Sequence, residues 1–274
     1  MIRKITTILP ALLLFLTGCV KVTIQDAEHS NRGKLFLITD WSQRSEGVEI
    51  PERYTVDNAG EKVIIKGDES QHPLLLAQGV HTLYLYNEAS KISVNGALVA
   101  SENDPMLGWQ FWGELVKFDV RKDEVYRTVV KMKQLTRQLN FDLTLTNTTP
   151  KIKSIEAVMS GVALGWDCKG NRALGQPAKI TPHFTVEHNN LKAMCIILGV
   201  IGDKQELTVK INFDDGTSEQ IVDDITRQLT DFNSDKIVPL TITGTYSMPV
   251  SAGVTGTIKG WDVVEGERIT VRWQ

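Results

Sequence analysis

Apolar and polar side chains alternate without a break in the stretch Leu139-Asn140-Phe141-Asp142-Leu143-Thr144-Leu145-Thr146. A period of two places successive side chains on opposite faces of a β-strand, so that one face meets a core and the other meets solvent. The same alternation returns in residues 207–213, 240–243 and 269–273. The second half of the chain is therefore predicted to be built from strands with one buried face.

Turn signals separate the predicted strands along the whole chain. They include Asn95-Gly96, Asn189-Asn190 and Asp214-Asp215-Gly216. Many short strands with a turn about every ten residues are the pattern of β-sandwiches. One segment competes, because apolar residues in 221–232 fall at helical spacing. There we expect either a short helix or a strand followed by a turn.

The domain organisation follows from length and from a charged break. The chain has 274 residues, enough for one large domain or two modest ones, and we expect an all-β fold of two tandem β-sandwiches. The charged stretch 121–124 is the predicted boundary, with an N-terminal sandwich at 33–124 and a C-terminal sandwich at 125–274. The stretch 147–150 is a rival boundary.

The N-terminus has the features of an export signal. Arg3 and Lys4 precede an apolar run at 5–16 that is shorter than the roughly 20 residues needed to span a bilayer. The sequence Leu16-Thr17-Gly18-Cys19 follows and looks like a bacterial lipobox. This resemblance implies a signal peptide at 1–18, acylation of Cys19 and a lipid-anchored tether at 19–32. The alternative is an ordinary secretory signal with a chance cysteine.

The net charge bears on the class of binding partner, and the cysteines bear on a possible disulfide. Loss of Arg3 and Lys4 with the signal would change the formal net charge from −3 to −5, which does not favour a nucleic-acid partner. An exported compartment permits a disulfide between Cys168 and Cys195. Cys195 lies in an apolar strand, however, and a free buried cysteine behaves as a small apolar residue. The sequence therefore allows either a disulfide between Cys168 and Cys195 or two free thiols.

Motifs of catalysis and metal binding are missing from the sequence. It contains no G-x-S-x-G, no P-loop and no H-E-x-x-H. His183 and His188 are five residues apart, which places them on opposite faces of one strand and disfavours a shared metal. Asp214-Asp215-Gly216 is better interpreted as a hairpin turn than as a calcium loop. We therefore expect neither an enzyme nor a metal or cofactor site.

Tryptophans offer the one sequence feature that could bind a ligand. Trp109 and Trp112 lie close together in an irregular stretch and are the best candidates for an exposed aromatic patch. Aromatic faces stack on sugar rings, so such a patch would favour a glycan. Packing is the favoured alternative, since each indole buries a large apolar area.

The order of several short motifs resembles a known family. Asp40-Trp41 ends a strand, Gly79 precedes a strand that ends Tyr86-Asn87, and Met159-Ser160-Gly161-Val162 follows the alternating stretch. This looks like the fimbrillin-like lipoproteins of Gram-negative gut and oral anaerobes, particularly the anchor or minor-subunit branch. The resemblance implies two transthyretin-like sandwiches and a role in anchoring or assembling fimbriae. It also implies β-strand pairing between subunits.

Family members that polymerise lose their first strand after an Arg or Lys. Candidate cleavage points here are Arg32, Lys34, Arg44 and Arg53, but none precedes a clear replaceable strand. This favours an anchor, minor or accessory subunit at the cell outer membrane, with fimbrial subunits or other surface proteins as partners. The alternative is a surface lipoprotein that binds glycan. The strand predicted at 267–274 could pair within the chain or with a partner.

Overall fold

The structure, a computed structural model, describes residues 31–70, 72–146, 151–247 and 257–266. The signal peptide, the lipobox with Cys19 and almost all of the tether lie outside the described residues. The same holds for the rival boundary at 147–150 and for the strand predicted at 267–274.

Strands make up most of the described chain. In the first half they are β1 (Arg32–Asp40), β2 (Arg53–Asn58), β3 (Glu61–Lys66), β4 (Leu74–Ala77), β5 (Gly79–Tyr86), β6 (Ile92–Asn95), β7 (Leu98–Ser101), β8 (Phe111–Val120), β9 (Val125–Lys131) and β10 (Lys133–Gln134). In the second half they are β11 (Arg137–Thr146), β12 (Ile152–Ala163), β13 (Gly165–Asp167), β14 (Arg172–Leu174), β15 (Ala178–Ile180), β16 (Thr185–Glu187), β17 (Asn190–Ile197), β18 (Gly199–Val200), β19 (Glu206–Phe213), β20 (Ser218–Asp224), β21 (Leu240–Ser247) and β22 (Thr257–Glu265). The described ranges contain no α-helix, so the predicted all-β fold class is confirmed.

The first sandwich pairs a three-stranded sheet with a five-stranded sheet. The orders are β4-β1-β9 and β10-β8-β5-β2-β3. Strand β1 is central in its sheet, antiparallel to β4 and parallel to β9. Its alternation places Leu35 and Leu37 fully inside the core, where Leu83, Leu85 and Phe111 meet them from the opposite sheet. The first described strand is therefore an interior part of the fold.

The second sandwich is organised around the alternating stretch that forms β11. Its sheets run β16-β17-β11-β21-β22 and β15-β12-β19-β20. Leu139, Phe141 and Leu143 are fully buried, as the period of two predicts. Asn140 is fully buried as well, although the alternation predicts it on a wet face, and its Nδ2 donates to Thr241 Oγ1 at 3.1 Å. The outer face of β11 is thus covered where the strand begins.

The two sandwiches share a small sheet. The hairpin β6–β7 belongs to the first half of the chain and β13–β14 to the second, yet they form one sheet in the order β14-β13-β7-β6. A core cluster lies behind it and draws on both halves, with Val99, Trp112, Trp166 and Leu198 among its members. The junction is therefore a packed interface.

Strand pairing moves the domain boundary. The prediction assigned the chain from Val125 onward to the second sandwich, but β9 pairs with β1 along its whole length and belongs to the first. The charged stretch 121–124 is a turn that carries the chain from β8 into the opposite sheet, and it is not a linker. We place the boundary at 135–136, between β10 and β11. The segment 221–232 is strand β20 followed by a 3₁₀ turn at Arg227–Leu229.

Candidate functional site

Metal ligands and reactive thiols are the first groups to consider in the described part of the chain. No group of His, Cys, Asp and Glu there is arranged to hold a metal ion. Cys168 and Cys195 are free and buried, and burial raises the pKa of each thiol to about 12. These thiols are therefore neither bridged nor activated as nucleophiles. Within the same residues, no helix is long and apolar enough to cross a bilayer.

The chain enters the first sandwich through a tightly bonded end. Gln78 N donates to the Asn31 carbonyl at 2.8 Å, and Asp123 N donates to the Arg32 carbonyl at 3.0 Å. A Cβ on Gly33 would lie 2.6 Å from Arg121 O, so the turn 121–124 approaches β1 more closely than another residue would allow. We call residues 31–34, 77–81 and 117–125 the anchored end, because the predicted tether joins the body there.

Strand β1 is held on both sides beyond this entry. It bonds to β4 on one edge and to β9 on the other, and Leu37 N also donates to Ser70 Oγ at 2.9 Å. Of the candidate cleavage residues, Arg32 and Lys34 lie within β1 itself. Removal of β1 would open a fully buried apolar row in the core. The strand is therefore built as a retained part of the fold.

The other candidate cleavage residues are also engaged. Arg44 donates to the carbonyls of Trp41 and Val48, at 2.9 and 3.1 Å. Arg53 lies in β2 and forms an exposed ion pair with Glu88 at 3.0 Å. Neither residue precedes a strand that could leave without disrupting a sheet.

Several outer strands offer edges for pairing. An outer strand exposes backbone N–H and C=O groups that a partner strand can bond. Strand β3 carries Lys62 and Lys66, the kind of residue that discourages edge-to-edge association. Strand β20 exposes Val222 and carries neither Lys nor Arg, whereas β9 exposes Val129 between Arg127 and Lys131. Among the described strands, β20 is the best candidate pairing edge and β9 is a second candidate.

Strand β20 is fixed to its own sandwich across the core. Tyr246 on β21 donates its hydroxyl proton to the buried carboxylate of Glu219 on β20. Burial, and then the hydrogen bond to Glu219, raises the pKa of Tyr246 well above its usual range. The bond joins the two sheets, so β20 presents a rigid edge.

The predicted aromatic patch does not form. Trp112 is 2% exposed, and its Nε1 donates to the Gly96 carbonyl at 2.9 Å while its ring stacks on Tyr84. Trp109 is partly buried and packs against two core clusters. This stretch supplies the core at the junction, which agrees with packing, the alternative that the sequence favoured. A glycan site on Trp109 and Trp112 loses its basis.

Arg137, at the junction, was not singled out by the sequence. It begins β11 with a fully buried side chain. Its Nε donates to Val238 O at 2.6 Å, and its Nη1 donates to the carbonyls of Asp231 and Phe232 at 3.0 and 2.9 Å. Nη2 reaches the exposed Glu265 at 3.4 Å. The guanidinium thus holds the segment between β20 and β21 in place.

Lys236 is the second cation of the junction. Its Nζ donates to Leu198 O at 2.6 Å and lies 4.0 Å from the ring centroid of Trp166. Burial, and then the charge of Arg137, lowers the pKa of Lys236 to about 7. Its own carbonyl accepts a bond at 2.7 Å from Gln134 on β10 of the first sandwich. The backbone of Lys236 therefore joins the two halves, while its side chain is held by groups of the second half.

Comparison with known proteins identifies solved structures that are similar to this chain. No protein-family model matches the sequence, and no curated protein matches it. Solved structures do match. A candidate adhesin from Bacteroides ovatus has a TM-score of 0.58 at 15% identity, covering 78% of this chain and 89% of that one. The fimbrial anchor protein Mfa2 from Porphyromonas gingivalis has a TM-score of 0.57 at 9% identity, with 85% and 97% covered.

A third structure agrees with these two. A candidate adhesin from Bacteroides thetaiotaomicron has a TM-score of 0.52 at 16% identity, covering 87% of this chain and 99% of that one. The chain therefore shares its fold with proteins described as adhesins and as a fimbrial anchor. At these identities the shared property is the fold, and at that level the predicted resemblance to the fimbrillin-like proteins is confirmed.

Proposed function

We propose that this chain is a lipid-anchored structural protein of the cell surface, an anchor, minor or accessory subunit of a fimbrial assembly at the outer membrane. The observation that carries the proposal is the position of β1. The chain passes from the predicted lipid site directly into a central strand that is bonded on both edges. An anchor needs this arrangement, because a strand held on both sides resists extraction from the body.

Three further observations support the proposal. The first is the lipobox-like sequence ending at Cys19. The second is the shared fold with a fimbrial anchor protein and with candidate adhesins. The third is the pair of rigid outer strands β9 and β20, on which a partner strand would add through backbone hydrogen bonds. The activity follows from surfaces and attachment, so no catalytic step is assigned.

Acylation is tested by the Cys19→Ala variant. The wild-type protein should incorporate radiolabelled fatty acid and fractionate with the outer membrane. The variant should lose the label and leave the membrane fraction, since a thiol at position 19 is needed for the lipid. Cys195→Ala serves as the control, because that thiol is buried and should not affect labelling. Unchanged labelling and fractionation in Cys19→Ala would reject the lipid anchor.

Strand pairing is tested by cross-linking on intact cells. The wild-type protein should yield a ladder or a discrete complex with a fimbrial partner. Val222→Lys and Val129→Lys place a cation beside the edges of β20 and β9 and should reduce the complex. Val158→Lys is the matched control, because Val158 is also exposed but lies on the interior strand β12. Complexes that survive both edge substitutions would exclude pairing at these strands.

A further inference from the structure

The anchored end carries the most exposed apolar side chains of the described chain. Val80 and Val125 are 69% and 61% exposed, more than any other large apolar residue there. Val80 pairs with Asp119 on β8, and Val125 pairs with Lys34 on β1, so both lie beside the turn 121–124. They belong to different sheets of the first sandwich, so each is a separate exposed apolar side chain at this end of the molecule.

A rigid base supports these valines. Tyr126 packs edge-to-face on Phe118 with ring centroids 5.0 Å apart. The Tyr126 hydroxyl accepts a bond from Arg121 N at 2.8 Å and donates to Glu124 at 2.7 Å, which fixes the turn between β8 and β9. The surface is therefore preorganised, and a partner would not have to order it.

The charge of the anchored end differs in sign from that of the body. It holds five basic side chains against three acidic ones, whereas the chain from Cys19 onward has a formal charge of −5. Among the described residues, Arg121 of this end forms an ion pair with Glu124, at 3.8 Å. The other basic side chains of the anchored end have no ion pair in the described part of the chain: Arg32, Lys34, Lys117 and Lys122. An anionic surface would find cations available here.

The length of the predicted tether indicates that the partner of the anchored end is the lipid bilayer. Asn31 is twelve positions beyond Cys19, and a chain of that length spans at most about 40 Å. A lipid on Cys19 would keep the anchored end within that distance of the bilayer at all times. Such confinement raises the effective concentration of the surface, so even a weak contact is populated.

We propose that the anchored end lies on the lipid surface. Val125 enters the headgroup region beside its strand partner Lys34, and the basic side chains bind anionic phosphates there. This inference rests on the proposed lipid anchor at Cys19. Apolar contact combined with basic side chains is the usual basis of peripheral binding to anionic lipid. The contact would orient the body, with β1 and the turn 121–124 towards the membrane.

Vesicle binding of the unacylated Cys19→Ala protein tests the surface independently of the lipid. It should cosediment with phosphatidylcholine vesicles that contain phosphatidylglycerol, and salt should weaken the binding. Lys34→Glu together with Lys122→Glu should weaken it by about tenfold or more, because one basic residue near such a surface contributes about fivefold. Lys153→Glu with Lys179→Glu is the matched control, since both lysines are exposed and belong to the second sandwich. Equal loss in both pairs, or no binding, would overturn the proposal.

A second measurement uses the acylated protein in the same vesicles. A fluorophore on Val125→Cys should be quenched by brominated lipid, and one on Val222→Cys in β20 should not. The native thiols would not take the label, because both are buried. No quenching at position 125 would overturn the lipid contact even if acylation of Cys19 is established. A protein cross-linked at position 125 on cells, without quenching, would assign the surface to that protein instead.

Discussion

Replacement of Arg137 by lysine is the most direct test of the junction. The guanidinium is fully buried and donates to the carbonyls of Val238, Asp231 and Phe232. Its planar fork serves acceptors that lie in different directions, which a single ammonium group cannot do. Lysine at this position retains the charge and loses the geometry.

The size of the effect follows from the bonds that are lost. At least two of the three carbonyls would lose their charged donor in Arg137→Lys. A buried acceptor without a partner costs about 1–3 kcal/mol, so the loss of two should lower the free energy of unfolding by about 2–6 kcal/mol. That is a large part of the 5–15 kcal/mol typical of a folded domain.

The assay is urea unfolding of the unacylated protein, followed by tryptophan fluorescence and by circular dichroism. Trp166 reports the junction, because Lys236 lies over its ring. Arg172→Lys is the matched control, since that side chain is 70% exposed and its ion pair with Asp167 should contribute less than about 1 kcal/mol. A loss in Arg137→Lys no larger than in Arg172→Lys would falsify the assignment of Arg137 as the residue that holds the segment between β20 and β21.

Three further outcomes are expected. The pKa of Lys236 is about 7 when folded and 10.5 when unfolded, so the unfolded chain binds more protons between these values and stability should rise with pH there. Lys236→Met should remove that rise, and parallel pH profiles for the two proteins would contradict it. Gly33→Ala should destabilise the first sandwich by about 1–3 kcal/mol, because its Cβ would meet Arg121 O at 2.6 Å; unfolding as for wild type would refute the close approach. Cys168 and Cys195 should resist maleimide in the native protein and react in urea without reductant; a native disulfide detected by mass spectrometry would exclude this.

The sequence predicted the parts of the fold that depend on local pattern. Alternation at 139–146 identified β11 and its buried Leu139, Phe141 and Leu143. The same pattern could not show that Asn140 is buried, because that depends on what covers the outer face of the strand. Periodicity reports which side chains share a face, and only the tertiary structure decides whether the polar face is wet.

The sequence-based predictions failed or were incomplete where segments that are distant in sequence meet in the structure. The charges at 121–124 have the composition of a linker and of a turn alike, and only the pairing of β9 with β1 distinguishes them. For Trp112 the sequence favoured packing but could not identify the Gly96 carbonyl, which accepts a bond from the indole nitrogen inside the junction. Arg137 and Lys236 have the chemistry of surface residues. The carbonyls that accept their hydrogen bonds belong to residues far away in the sequence. No local pattern in the sequence predicts these contacts.

The sheet shared by β6–β7 and β13–β14 means that neither sandwich can be exchanged for that of a relative without affecting the other. A chimera that replaces the second sandwich with that of a relative would leave β7 facing a foreign strand in place of β13. Such a hybrid should express poorly unless both hairpins are transplanted together. Recombination within genes of this kind would therefore succeed mainly when its crossover points leave the pair of hairpins intact.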